Sequence, residues 1–194
     1  MNPDSPLPSL HRFASAPAPV TIVARRSATQ SRSPRLRKLR PMYWLMKSEP
    51  GECSIDDALA ARGSTVPWTG VRNYQARNFM RDQMKPGDGV LFYHSSCAEP
   101  GIAGLAEVAS APYPDPTQFD PKSDYHNPAA KKDAPRWFLV DVRARKKTRL
   151  VSIAELREHK PLADRAALRR GNRLSITPVT PVEWRYVTTR LLKG

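Results

Sequence analysis

Beyond residue 42 the chain alternates short apolar runs with proline, glycine and helix-capping residues. Tyr43-Trp44-Leu45-Met46 is a run too short for a helix, and it predicts a buried strand stopped at Pro50-Gly51. Ser54 with Asp57 three residues on predicts a helix over 55–62, with Ile55, Ala58 and Leu59 on its apolar face and Gly63 past its end. A helix over 75–83 is predicted to end near Lys85-Pro86-Gly87-Asp88-Gly89. A strand over 90–94 follows and continues through Ser95-Ser96, with Val90, Phe92 and His94 on one face and Leu91 and Tyr93 on the other. Residues 101–108 read as another strand, in which Gly104 marks a close approach by a backbone or a ligand.

Residues 111–135 hold no periodic pattern. They form a long loop around Tyr113, Phe119, Tyr125 and His126, and loops of that length in compact domains are functional or mobile. A strand over 137–142 leads into a basic run, Arg143 to Arg149, read as a solvated segment. Ser152 with Glu155 predicts a capping box and a helix to about His159. Leu174-Ser175-Ile176 reads as a last strand, and Thr180-Pro181-Val182-Glu183 as a helix start whose helix buries Trp184, Val187 or Thr188, and Leu191. Five or six strands thus mix with four short helices, without a βαβ rhythm or an internal repeat. The predicted class is α+β, a curled sheet or small barrel with helices around it.

Charge changes the picture at the amino-terminal end. The chain carries +14 overall, from 32 basic and 18 acidic residues. Residues 1–41, rich in proline and serine, hold eight basic residues and one acid (Asp4), which divides the net charge equally between this segment and the rest. So basic a segment with little to bury is expected to be disordered. It reads as a phosphate-binding arm, an organellar transit peptide or a mis-assigned start upstream of Met42, and the abrupt onset of pattern at Met42 favours the last. No apolar run approaches the ~20 residues of a membrane span. Cys53 and Cys97 lack the spacing of a zinc site or a disulfide scaffold, so no metal and no cofactor are expected. Two free thiols point to a reducing, cytoplasmic setting, although a single bridge between them is also compatible.

The stretch Trp68-Thr69-Gly70-Val71-Arg72-Asn73 reads as a strand end, a turn at Gly70 and a helix entered at Asn73. An aromatic plane, backbone N–H groups, an amide and a cation then meet near one point, which suits a planar, polar ligand such as a nucleotide. A competing reading makes Trp68 core and the arginines a solvated face.

Together these stretches resemble the EVE domain family, within the PUA-like fold group. The residues that carry the resemblance are Tyr43 to Pro50, Trp68 to Asn78, Gly87-Asp88, Tyr93-His94-Ser95, Gly101 to Gly104, Trp137 and Arg173-Leu174-Ser175. The match runs over about 42–192, so the domain is expected to span 42–194. The resemblance implies a pseudo-barrel related to YTH and ASCH domains, with a pocket for a single, flipped, modified base of DNA or RNA. It places Lys47, Ser48, Trp68, Gly70, Val71, Arg72, Asn73, His94, Ser95 and Ser175 at that pocket. Trp68 would be the stacking face, and Lys47, Arg72 and Arg173 the phosphate contacts.

Two other function classes compete. A basic interaction or scaffold module would need only the surface charge; nothing amphipathic supports a membrane surface. An enzyme could use His94 with Ser95 or Cys97, but neighbours on a strand point to opposite faces, so non-catalytic recognition is the reading adopted.

Overall fold

A computed structural model describes residues 41–162, 168 and 171–193. The expectations for residues 1–41 lie outside the described residues, save for Pro41. Strands β1 (Tyr43–Ser48), β2 (Thr65–Pro67), β3 (Gly89–His94), β4 (Gly101–Val108), β7 (Asp141–Ser152) and β8 (Ile176–Val179) form one six-stranded sheet in the order β2-β7-β4-β3-β1-β8. Two short strands, β5 (Tyr113–Pro114) and β6 (Phe138–Leu139), pair separately. Helices α1 (Ile55–Ala60), α2 (Tyr74–Asn78), α3 (Ile153–Glu158) and α4 (Pro181–Tyr186) are all short, and α2 and α4 each run on into a π-helical turn.

The β1–β3 pair is parallel and every other pair antiparallel. That pair requires a crossover, which α1, β2 and α2 supply. The crossover carries the Trp68 stretch over one face of the sheet. There Trp44, Met46, Val90 and Phe92 pack with Ile55, Ala58, Ala76 and Met80. The alternate residues, Leu45, Leu91 and Tyr93, face the other way and pack with Leu156, Val187 and Leu191. Both faces are therefore buried, as the two-residue strand period requires when apolar runs are uninterrupted.

The mixed α+β class is as expected, but closure into a barrel is not: β2 and β8, the two edges, do not pair among the described residues. Three local readings also change. The basic run is exposed at Arg145, Lys146, Lys147 and Arg149 as expected, but it is also the middle of β7, where Val142 and Ala144 point inward. Arg143 and Arg145 pair with Glu107, Lys147 with Asp56 and Arg149 with Glu155, so the face is largely neutralised within the chain. The last strand is Ile176–Val179 rather than 174–176, and the Ser175 carbonyl just before it accepts from Lys47 N–H of β1. Finally, β3 stops at His94, and Ser96 takes a left-handed φ of +52° that no strand can continue.

At Gly104 the close approach is real. A Cβ there would lie 2.6 Å from the Ile55 side chain and 2.7 Å from the Lys146 carbonyl oxygen, so the approaching groups are α1 and β7, not a ligand.

Candidate nucleic-acid interface

The Trp68 stretch folds as its residues dictate. Trp68 N–H donates to the Val140 carbonyl, which anchors the end of β2. Gly70 turns the chain at φ +79°. Asn73 then caps α2, its Oδ1 accepting from the Gln75 and Ala76 N–H groups at 2.9 and 3.1 Å. Trp68 is only 7% exposed and meets Phe92 edge-on, so it is core and cleft wall at once; only a margin of the indole is open.

Beside this turn lies a cleft of about 550 Å³, a size usual for small-ligand sites. Lys47 and Ser48 reach it from the end of β1; Trp68, Gly70, Val71, Arg72 and Asn73 from the turn; Ser95 from beyond β3; Arg173 and Ser175 from the approach to β8. Parallel pairing of β1 and β3 brings their ends together, with Ser95 N–H and Oγ–H both donating to the Ser48 carbonyl. Ser48 Oγ–H donates to the Cys53 carbonyl at 2.7 Å.

His94 does not line the cleft. Its ring packs edge-on against Phe92, and Nε2 accepts from the Ile55 N–H at 3.1 Å, closing the start of α1. Burial, with Lys147, pushes its pKa below the ordinary 6.5 against the pull of Asp56 and Asp57, so the neutral, accepting ring is favoured. A ring nitrogen used in that way is not positioned as a catalytic base for Ser95. Burial also pushes the Cys53 thiol up, with Asp57 adding to it, which keeps that sulfur protonated and weakly nucleophilic.

Arg72 differs in role from expectation. Nη1–H donates to Asp115 Oδ2 at 2.8 Å, Nη2–H to Thr117 Oγ1 at 2.9 Å, and Nε–H to the Tyr125 carbonyl at 3.0 Å. Further bonds run from Nη1 to the Val71 carbonyl and from Nη2 to the Tyr125 carbonyl. All five guanidinium donors are spent inside the protein. Arg72 therefore builds the wall and has nothing left to give a phosphate.

That wall is the part the sequence reading missed. Tyr125, from the long loop, lies against Gly70, where a Cβ would sit 2.7 Å from its ring. The Tyr125 hydroxyl donates to Glu52, and that bond, with burial, pushes its pKa up to about 12. Asp115 receives Gly70 N–H, Thr117 N–H and Thr117 Oγ–H besides Arg72. Burial raises its pKa, but these four donors together hold it below the usual carboxylate range. Gln118, fully buried, donates through Nε2 to the Asp115 and Trp137 carbonyls, and its Oε1 accepts from Arg136 and Trp137 N–H. Glu49, Glu52, Ser96 and Asn172 also line the cleft, with Ser96 Oγ–H donating to Glu49 at 2.8 Å. The signals were present singly, as a turn glycine and an aromatic in a long loop, but nothing in the sequence joins positions so far apart.

Glu49 and Glu52 offset Lys47 and Arg173, and Arg72 is neutralised internally, so the cleft is polar rather than basic. It suits a flat group with donors and acceptors on its edge. Among the described residues no cluster of three potential metal ligands occurs, and no helix is long and apolar enough to cross a membrane.

The EVE domain model matches residues 42–190. Thymocyte nuclear protein 1 of Danio rerio is 45% identical over 168 residues, covering 76% of this chain and 72% of its own length. The crystal structure of a Pseudomonas putida protein has a TM-score of 0.72 at 46% identity, covering 75% of this chain and 97% of that one. The structure of the human THYN1 protein in complex with 5-methylcytosine containing DNA has a TM-score of 0.74 at 42% identity, covering 79% and 98%. The cytoplasmic expectation is corrected by these relatives, which in Danio rerio, Homo sapiens and Gallus gallus are named as nuclear proteins. Free thiols separate reducing from oxidising compartments, and nucleus and cytoplasm are both reducing.

Proposed function

The chain belongs to the EVE domain family, and from that premise we propose that it is a non-catalytic reader that takes one flipped, modified base of DNA into the cleft beside Trp68. The observation that carries the reading is the cleft itself: nine of the ten residues expected at the base pocket line one cavity, which brings hydroxyls, amides and two aromatic rings together with acidic and basic side chains. The human relative solved with 5-methylcytosine containing DNA makes a modified cytosine the first candidate. On this reading the unit spans 42–194, with residues 1–41 an added basic segment, and the sheet is an open, curled form of the PUA-like pseudo-barrel.

In the proposed arrangement Tyr125 and the open margin of Trp68 bound the base on its faces. Base–aromatic stacking contributes roughly 1–3 kcal/mol, comparable with the few kcal/mol that flipping costs. Asn73, Ser48, Ser95 and Ser175 meet donor and acceptor atoms on its edge. The Glu49 and Glu52 carboxylates suit an exocyclic amine, as acidic side chains do for the cytosine amino group. Lys47 and Arg173 stand at the entrance, where the flanking phosphates pass. Basic residues elsewhere add salt-dependent attraction without selectivity.

The test is binding of the full chain to fluorescent duplexes, and to RNA of the same sequence, with a central cytosine plain or 5-methylated, at two salt concentrations. Ser175→Phe, which fills the cleft from an accessible position, is run beside the natural protein. Preference for the methylated duplex that disappears in the filled variant is the expected result. Binding that ignores the methyl group and survives Ser175→Phe would leave only a basic surface.

A further inference from the structure

Tyr74 is the one exposed aromatic among the described residues, with 53% of its surface open. It follows Asn73 directly, so its Cα is about 3.8 Å from that of a residue lining the cleft. It ends a ladder of planar groups that starts inside the cleft. The Arg72 guanidinium lies 5.3 Å from the Tyr125 ring centre and 5.5 Å from that of Trp137, and Trp137 stacks on Tyr74 at 5.0 Å with 29° between planes. Arg77 is 4.9 Å from the Tyr74 ring centre and 6.0 Å from that of Trp137. Those distances set Arg77 beside the Tyr74–Trp137 stack. Across Tyr74 from Trp137, its distance from Trp137 would approach the sum of the other two. Arg77 therefore leaves free the face of Tyr74 turned away from Trp137, in a residue 53% exposed.

The surroundings are cationic. Arg77 donates to the Arg136 carbonyl at 2.9 Å, and the charges of Arg81 and Arg136 bear on it, with Asp82 as the acid bonded to Arg81. An open aromatic plane rimmed by arginines is chemistry for a nucleobase with its phosphate rather than for an apolar protein surface.

We propose that Tyr74 is a second nucleotide position, on which the base adjoining the flipped one stacks while Arg77 and Arg136 face its phosphate. The proposal rests on the reading of the cleft as a base pocket. Extruding one base uncovers a face of its neighbour, and Tyr74 replaces the stacking partner just lost. The Arg72–Trp137 ladder holds the platform at a fixed separation from the cleft, so one element of structure sets the spacing of two nucleotides.

The experiment uses the full chain and a duplex carrying a central 5-methylcytosine, with the fluorescent base 2-aminopurine at the adjoining position. Stacking on Tyr74 predicts that binding quenches that base beyond its quenching in the free duplex. In Tyr74→Ala the added quenching is lost and affinity falls about tenfold, while preference for methylated over plain cytosine is kept; Tyr74→Trp restores both. Circular dichroism confirms that the variants are folded. Unchanged affinity and quenching in a folded Tyr74→Ala overturns the proposal, and so does loss of the methyl preference, which would make Tyr74 a support for the pocket. If the natural protein itself shows no methyl preference, the pocket reading fails first and this proposal with it.

Discussion

The two walls of the cleft are held by different physics. From Trp68 to Asn73 the wall is continuous chain, and its shape follows from a turn glycine, a cap and one buried indole. The wall that meets it is Tyr125, from a loop that is mostly irregular. Its position is set by a buried carboxylate, a buried amide and a guanidinium that bond to backbone far away in sequence. An apolar wall tolerates small shifts, because packing energy varies smoothly with area. A polar wall is all or nothing, since a buried donor or acceptor left unpaired costs about 1–3 kcal/mol. The loop wall is therefore the more exact and the more fragile of the two.

The largest expected effect comes from removing the amide. Gln118→Leu takes the acceptor from the buried Trp137 N–H and from Arg136 N–H, removes one of two donors from each of the Asp115 and Trp137 carbonyls, and is expected to cost about 2–3 kcal/mol in urea unfolding. A change within about 0.5 kcal/mol would mean that the loop is held by something else. Next is the point where the walls touch. Gly70→Ala meets both a left-handed backbone and the Tyr125 ring at 2.7 Å, whereas Gly63→Ala, at φ +64°, meets nothing within 4 Å. The second variant isolates the backbone cost of about 1 kcal/mol. Gly70→Ala should exceed it by at least as much again and weaken methyl-dependent binding; equal costs for the two would dissolve the contact between the walls.

A third test addresses the side that His94 holds. Because its folded pKa is depressed, the unfolded state binds the proton first. Stability is complete above the ordinary histidine value of 6.5 and declines as the pH falls below it toward the folded value. The melting temperature of the natural protein should drop between about pH 7 and 5, and His94→Gln, which keeps an acceptor for Ile55 N–H, should flatten that decline. An identical slope in the variant would remove His94 as the cause. The smallest effect is expected at Glu52→Gln, an exposed site worth under about 0.5 kcal/mol. Its signature is spectroscopic: the Tyr125 phenol, now pushed up to about 12, should titrate nearer 10.

The same contrast explains which features could be read in advance. The Ser54–Asp57 and Thr180–Glu183 capping boxes and the Asn73 cap occur where expected, because each is a bond between groups within three residues. Ser152 shows the limit. Its hydroxyl accepts from Glu155 N–H as predicted, but the Glu155 carboxylate turns to Arg149, a partner on β7. The run from Arg143 to Arg149 is solvated as expected, but its strand was missed for a related reason: charge masked the alternation, visible only at Val142 and Ala144.

Sequence alone thus determined the buried strands β1, β3 and β4, the caps, the turn at Gly70 and the family to which they belong. It also gathered most of the cleft, since those residues lie at strand ends or in one turn. Only the tertiary structure decided that Arg72 serves Asp115 rather than a phosphate, that His94 closes α1, and that Tyr125 completes the cleft. Those outcomes depend on which distant donor finds which acceptor, and an arginine or a histidine carries the same bonding capacity wherever the fold puts it.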